Sequence, residues 1–102
     1  MTETRNELAD YAQALCHPVR IAILQLLLSQ KCCYHGDLTE HIPLAKSTLS
    51  QHLKVLKEAG FIKGEINPPK TKYCIDIDVW QKAGYLFFQF FQTLPVPASN
   101  CH

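Results

Sequence analysis

The chain has 102 residues, a formal net charge of +1, 47% hydrophobic residues and 19% charged residues. That length makes one domain with a modest core, and that composition excludes a disordered or collagen-like chain. Taken alone, the near-neutral charge argues against a nucleic-acid binder.

The opening residues, Met1-Thr2-Glu3-Thr4-Arg5-Asn6-Glu7, hold no apolar signal core. The most apolar runs, 21–28 and 85–91, fall short of the roughly 20 residues that a membrane-spanning helix needs. The expectation is a soluble, cytoplasmic protein. Five cysteines without regular spacing speak against a secreted disulfide framework, so reduced thiols are expected.

The first predicted helix covers 4–15, where Leu8, Tyr11, Ala12 and Leu15 form one apolar stripe. His17-Pro18 interrupts it, because the residue before proline avoids helical angles. Pro18 then suits the first turn of a second helix over 18–29, apolar on nearly every side and predicted to be the central core helix. Residues 31–35 form a link with the option of a brief strand. Asp37-Leu38-Thr39-Glu40 reads as a capping box opening a short helix that Pro43 stops. After a tight turn at Leu44 and Ala45, a helix over 46–59 points Leu49, Leu53 and Leu56 inward, and Gly60 closes it as a left-handed cap.

Beyond Gly60 the period changes from 3.6 to 2. Ile62, Gly64 and Ile66 alternate with Lys63 and Glu65, and Tyr73, Ile75 and Ile77 alternate with Lys72, Cys74 and Asp76. The turn Asn67-Pro68-Pro69-Lys70 between them makes a β-hairpin, with Cys74 on the outward face. A last helix over 78–93 takes Asp78 as its cap. Its apolar surface exceeds what a one-sided helix needs. The predicted division is a domain over 1–94 and a frayed tail over 95–102.

Helix, helix, short helix, tight turn, helix, hairpin, helix is the order of a winged helix-turn-helix: mainly α with a small β-hairpin. In such a unit the second helix of the helix-turn-helix reads the DNA major groove. The outward residues of that helix, Lys46, Ser47, Thr48, Ser50, Gln51, His52 and Lys54, suit the task. Hydroxyls and glutamine hydrogen-bond base edges, and lysines displace counterions from phosphates. Lys70 and Lys72 at the hairpin tip would meet flanking phosphates. Charge follows the same division. Residues 1–40 carry a net −2 and residues 74–102 a net −1. Residues 41–73, with Lys46, Lys54, Lys57, Lys63, Lys70 and Lys72 against Glu58 and Glu65, carry +4.

Two stretches resemble the ArsR/SmtB family of winged-helix repressors. One is Ala14-Leu15-Cys16-His17-Pro18-Val19-Arg20-Ile21-Ala22-Ile23-Leu24; the other is Asp37-Leu38 followed by 47–62, Ser-Thr-Leu-Ser-Gln-His-Leu-Lys-Val-Leu-Lys-Glu-Ala-Gly-Phe-Ile. The resemblance covers residues 5–92 and departs at Ala45, where the family often has a capping serine. It implies a homodimeric repressor of double-stranded DNA, released by a metal, metalloid or redox signal. It also implies a dimer interface on the first and last helices, for which Leu8, Tyr11, Trp80, Phe87, Phe88 and Phe91 are the candidates.

The family's Cys-x-Cys sensor pair falls here on Tyr34 and Gly36, and its histidine-bearing last-helix site has no histidine in 79–93. Cys32, Cys33 and His35 remain as candidate soft-metal ligands, with no cofactor required. An enzyme built on Cys32 or Cys33, His35 and Asp37 is set aside, because four residues of one short link do not make a catalytic geometry. The alternative function is a winged-helix protein-interaction module that binds neither DNA nor inducer.

Overall fold

The computed structural model describes residues 2–65 and 72–92. The turn at 67–70 with Lys70, the tail over 95–102 and Cys101 lie outside the described residues.

Helix α1 spans Thr2–Ala14 and α2 spans Pro18–Ser29. The break between them is local chemistry: His17 is extended (φ −138°, ψ 132°) before Pro18, and its Nδ1 accepts the Val19 N–H at 3.1 Å. Strand β1 is Cys33–His35, followed by a short 3-10 helix, Leu38–Glu40. Helix α3 is Lys46–Glu58, strands β2 and β3 are Ile62–Glu65 and Lys72–Ile75, and α4 is Ile77–Gln92. Among the described residues no single helix is long and apolar enough to cross a membrane.

Ile23, Leu24 and Leu27 of α2 and Leu49, Leu53 and Leu56 of α3 are buried together, with Leu38, Phe61, Tyr73 and Ile75 closing the core. The central role expected of α2 holds, although Ile21 and Leu28 on its far side stay exposed. Gly60 takes the expected left-handed conformation, φ +93°, directly after the Ala59 cap of α3.

Several details add to or differ from the sequence expectation. The sheet has three strands, not two, in the order β1-β3-β2 with antiparallel pairs. The link at 31–35 becomes a paired edge strand because Cys33, Tyr34 and His35 align with Cys74, Tyr73 and Lys72. The helix before the turn is one short 3-10 helix; its Asp37 cap accepts the Thr39 N–H at 2.9 Å. The cap of α4 is Asp76 rather than Asp78, its Oδ1 accepting the Val79 N–H at 3.2 Å, and the helix starts a residue earlier. Finally, Cys74 is half-buried and disulfide-bonded to Cys33, so two of the thiols expected to be free are not.

Candidate nucleic-acid interface

Helix α3 divides cleanly around its axis. Leu49, Leu53 and Leu56, spaced four and three apart, are buried. Lys46, Ser47, Thr48, Ser50, Gln51 and Lys54 are exposed. The N-terminus of α3 has Ala45 as a cap with no side-chain hydrogen bond. Its first residue instead pairs with the preceding element: Lys46 Nζ lies 3.3 Å from Asp37 Oδ2. Hydrogen bonds from Thr39, then the Lys46 ammonium, hold the Asp37 carboxyl below the usual carboxylate range. One carboxylate therefore caps the 3-10 helix and ties it to the start of α3. At the other end, Lys57 Nζ donates to the Gly64 carbonyl at 3.0 Å, linking α3 to β2. Lys72 is exposed at the start of β3, on the same sheet face as Lys63.

His52 is placed differently from its neighbours. It is half-buried, with its ring 4.3 Å from that of His17, so it faces the start of α2 and not the exposed side of α3. Burial, then His17 and Arg20, pushes its imidazolium form below the ordinary histidine range. A depressed folded-state value means that the unfolded chain binds the extra proton more readily. The contribution of neutral His52 is therefore full above the ordinary value of 6.5 and is lost as pH falls below it. The melting temperature is expected to drop on acidification from pH 7.5 to 5.5, and His52→Gln should show a smaller drop. Equal drops in both proteins, by thermal scans in matched buffers, would remove His52 as the cause.

The proposed interface residues separate into two groups. Tyr11 is buried against Phe61 (ring centroids 5.2 Å apart), and half-buried Trp80 meets the same ring edge-on at 5.9 Å. Both serve the chain's own core, as does half-buried Phe87 in part, while Leu8 is half-buried on α1. Phe88 and Phe91 are 63% and 70% exposed, and Tyr85 and Phe90 join them at 59% and 61%. Tyr85 and Phe90 lie outside the six sequence candidates, and the excess of apolar residues on that helix is the signal that marks them. Lys82 of α4 pairs with Glu7 of α1, holding the two helices side by side.

The metal candidates do not form a centre. Cys33 is bonded to Cys74, half-buried Cys32 packs against the core, and His35 is exposed opposite Lys72. Among the described residues no group of three His, Cys, Asp or Glu side chains could hold a metal ion. These residues do not fit a three-ligand soft-metal site.

Comparison with known proteins follows the same outline. A family model described as a bacterial regulatory protein of the arsR family matches residues 17–63, from the cap of α2 to β2. The chain is 42% identical over 72 residues to the HTH-type transcriptional repressor SmtB of Mycobacterium tuberculosis, covering 70% of this chain and 52% of that protein. It is 34% identical over 73 residues to the biofilm growth-associated repressor of Xylella fastidiosa, covering 72% and 63% respectively. The chain thus spans between half and two-thirds of the length of these relatives. An ArsR-like transcriptional regulator from Rhodococcus sp. RHA1 shares the fold, with a TM-score of 0.70, 19% identity, and coverage of 88% of this chain and 84% of that one. The family match over residues 17–63, together with the sequence relatives, makes this chain a member of the arsR family of bacterial regulatory proteins.

Proposed function

We propose that the chain is a cytoplasmic, homodimeric, sequence-specific DNA-binding transcriptional repressor and not an enzyme. The observation that carries this reading is the exposed face of α3. Ser47, Thr48, Ser50 and Gln51 present short hydrogen-bonding side chains, Lys46 and Lys54 flank them, and three buried leucines fix the helix behind. In this reading α3 enters the major groove and Lys72 meets flanking phosphates. His52 takes no part in base contact, since it faces His17. A second copy covers Tyr85, Phe88, Phe90 and Phe91 of α4 and sets two half-sites about one helical turn apart.

The test is selection from random duplexes, then titration of the selected duplex at several salt concentrations. Binding should engage two chains per duplex and weaken steeply with salt. Gln51→Ala should weaken the selected site about tenfold with little change on random DNA, whereas Lys72→Ala should weaken both alike and lower the salt slope by about 1. No salt-dependent binding to any duplex would favour the protein-interaction reading instead.

A further inference from the structure

The disulfide between β1 and β3 lies on the sheet face that carries Lys72 and closes a loop around the reading helix. Cys33 and Cys74 are direct cross-strand partners 41 residues apart in sequence. Every residue assigned to DNA, from Lys46 to Lys72, lies in the loop that they close. Upstream, β1 leads to Asp37, which caps the 3-10 helix and pairs with Lys46 at the start of α3. Downstream, β3 is the return strand of the wing. The bond is thus a covalent tie between the wing and the lead-in to the reading helix.

Its surroundings favour thiol chemistry. Lys63 stands directly across from Cys74 on β2, and Lys72 precedes Cys74 by two residues on the same sheet face. Both ammonium groups are exposed, and both cysteines are half-buried, within reach of a small reagent. A cation beside a thiol favours the reactive thiolate. Tyr34 and Tyr73, paired on the opposite, buried face, hold the register, and the Ile75 N–H donates to the Cys32 carbonyl at 2.7 Å. These contacts do not depend on the S–S bond, so the two thiols stay opposed when it is reduced.

We infer that Cys33 and Cys74 form a reversible, peroxide-responsive disulfide that raises the DNA affinity of the reading unit when closed. This rests on the DNA-binding reading above. In the forward direction the Cys74 thiolate attacks the peroxide, the O–O bond breaks, and the leaving oxygen takes a proton to depart as water or alcohol. The resulting sulfenic acid is attacked by the Cys33 thiol. The S–S bond forms, the S–O bond breaks, and the hydroxyl leaves with that thiol's proton as a second water. Two thiols lose two electrons and the peroxide gains them. Two equivalents of a small thiol reverse the reaction through a mixed disulfide. In the reduced protein β1 is held to β3 by the ladder alone and can fray as an edge strand; the S–S bond suppresses that fraying, so less ordering between wing and α3 is left to occur at the duplex.

The experiment uses the 102-residue chain, hydrogen peroxide, dithiothreitol and the selected duplex. Peroxide should remove two alkylatable thiols, link the Cys33 and Cys74 peptides, raise the melting temperature by about 10 °C and tighten duplex binding by about fivefold or more. Dithiothreitol should reverse all four. Cys33→Ser and Cys74→Ser should each bind like the reduced protein and ignore peroxide; a Cys16→Ser/Cys32→Ser/Cys101→Ser variant should respond like the wild type. Crosslinking through another pair, a response surviving in Cys74→Ser, or an affinity that stays within twofold or falls on crosslinking overturns the switch. Tight, redox-insensitive binding sinks the switch alone, whereas failure of both redox forms to bind any duplex sinks the DNA reading and the switch with it.

Discussion

Gly64→Ala is expected to break the wing. Gly64 sits at φ +146°, in a region that L side chains rarely adopt, directly across from Tyr73. A Cβ there would meet the Lys72 carbonyl oxygen at 1.9 Å and the Tyr73 Cα at 3.1 Å. Both are backbone atoms of the paired strand, so no rotamer change relieves the clash. Either β2 separates from β3 or the glycine position rotates out of its conformation, and both lose ladder hydrogen bonds. The cost should be about 3 kcal/mol or more, a drop of roughly 12 °C or more in melting temperature for a domain of this size. Because Lys57 also donates to the Gly64 carbonyl, the end of α3 should loosen along with the strand. Hydrogen exchange should quicken at the Tyr73 and Ile75 amides more than in α2. A variant with wild-type stability and protection would show that the wing does not require this backbone geometry.

Phe61→Ala should be comparably severe for a different reason. Phe61 is 1% exposed and its ring contacts both Tyr11 of α1 and Trp80 of α4. Its backbone is committed as well: its N–H donates to the Leu56 carbonyl and its carbonyl accepts the Asp76 N–H. Truncation leaves a cavity where α1, α4 and the sheet meet, at a cost of about 3–5 kcal/mol. Total stability for a domain is about 5–15 kcal/mol, so a large part of it would go. Chemical denaturation should show a lower midpoint with an unchanged slope. Phe61→Leu, which keeps most of the volume, should cost less than half as much. Equal losses in the two variants would point to the aromatic contacts with Tyr11 and Trp80, and not to the volume, as the main contribution.

Both sites show where sequence patterns carried information and where they did not. The break at His17-Pro18, the buried leucines of α3 and the left-handed Gly60 were all legible, because each depends on residues within one turn of helix. The alternation after Gly60 marked the wing, and Gly64 was visible as part of that alternation. Its positive φ was not, and neither was the Lys72 carbonyl on the neighbouring strand that leaves no room for a Cβ. The α4 cap lies two residues before the expected Asp78: Asp76 and Asp78 offer the same chemistry, and the end of β3 decides between them. Among the aromatics, composition marked an excess on α4. Only packing shows that Trp80 belongs to the chain's own core while Phe88 and Phe91 remain outside it.

The charge division shows the same boundary. A net charge of +1 taken as a total argues against DNA, whereas its distribution puts +4 on residues 41–73, the helix-turn-helix and wing. By itself the sequence determined the order of the elements, the polar face of α3 and the concentration of positive charge. Those properties follow from periodicity, capping and composition, which act between near neighbours. Tertiary structure alone decided that the link at 31–35 pairs with the wing, that Cys33 meets Cys74 and that His52 turns toward His17. These contacts join residues 35 to 41 positions apart. Their formation depends on the register of a folded sheet and the crossing of two helices, and no local pattern in the chain encodes either.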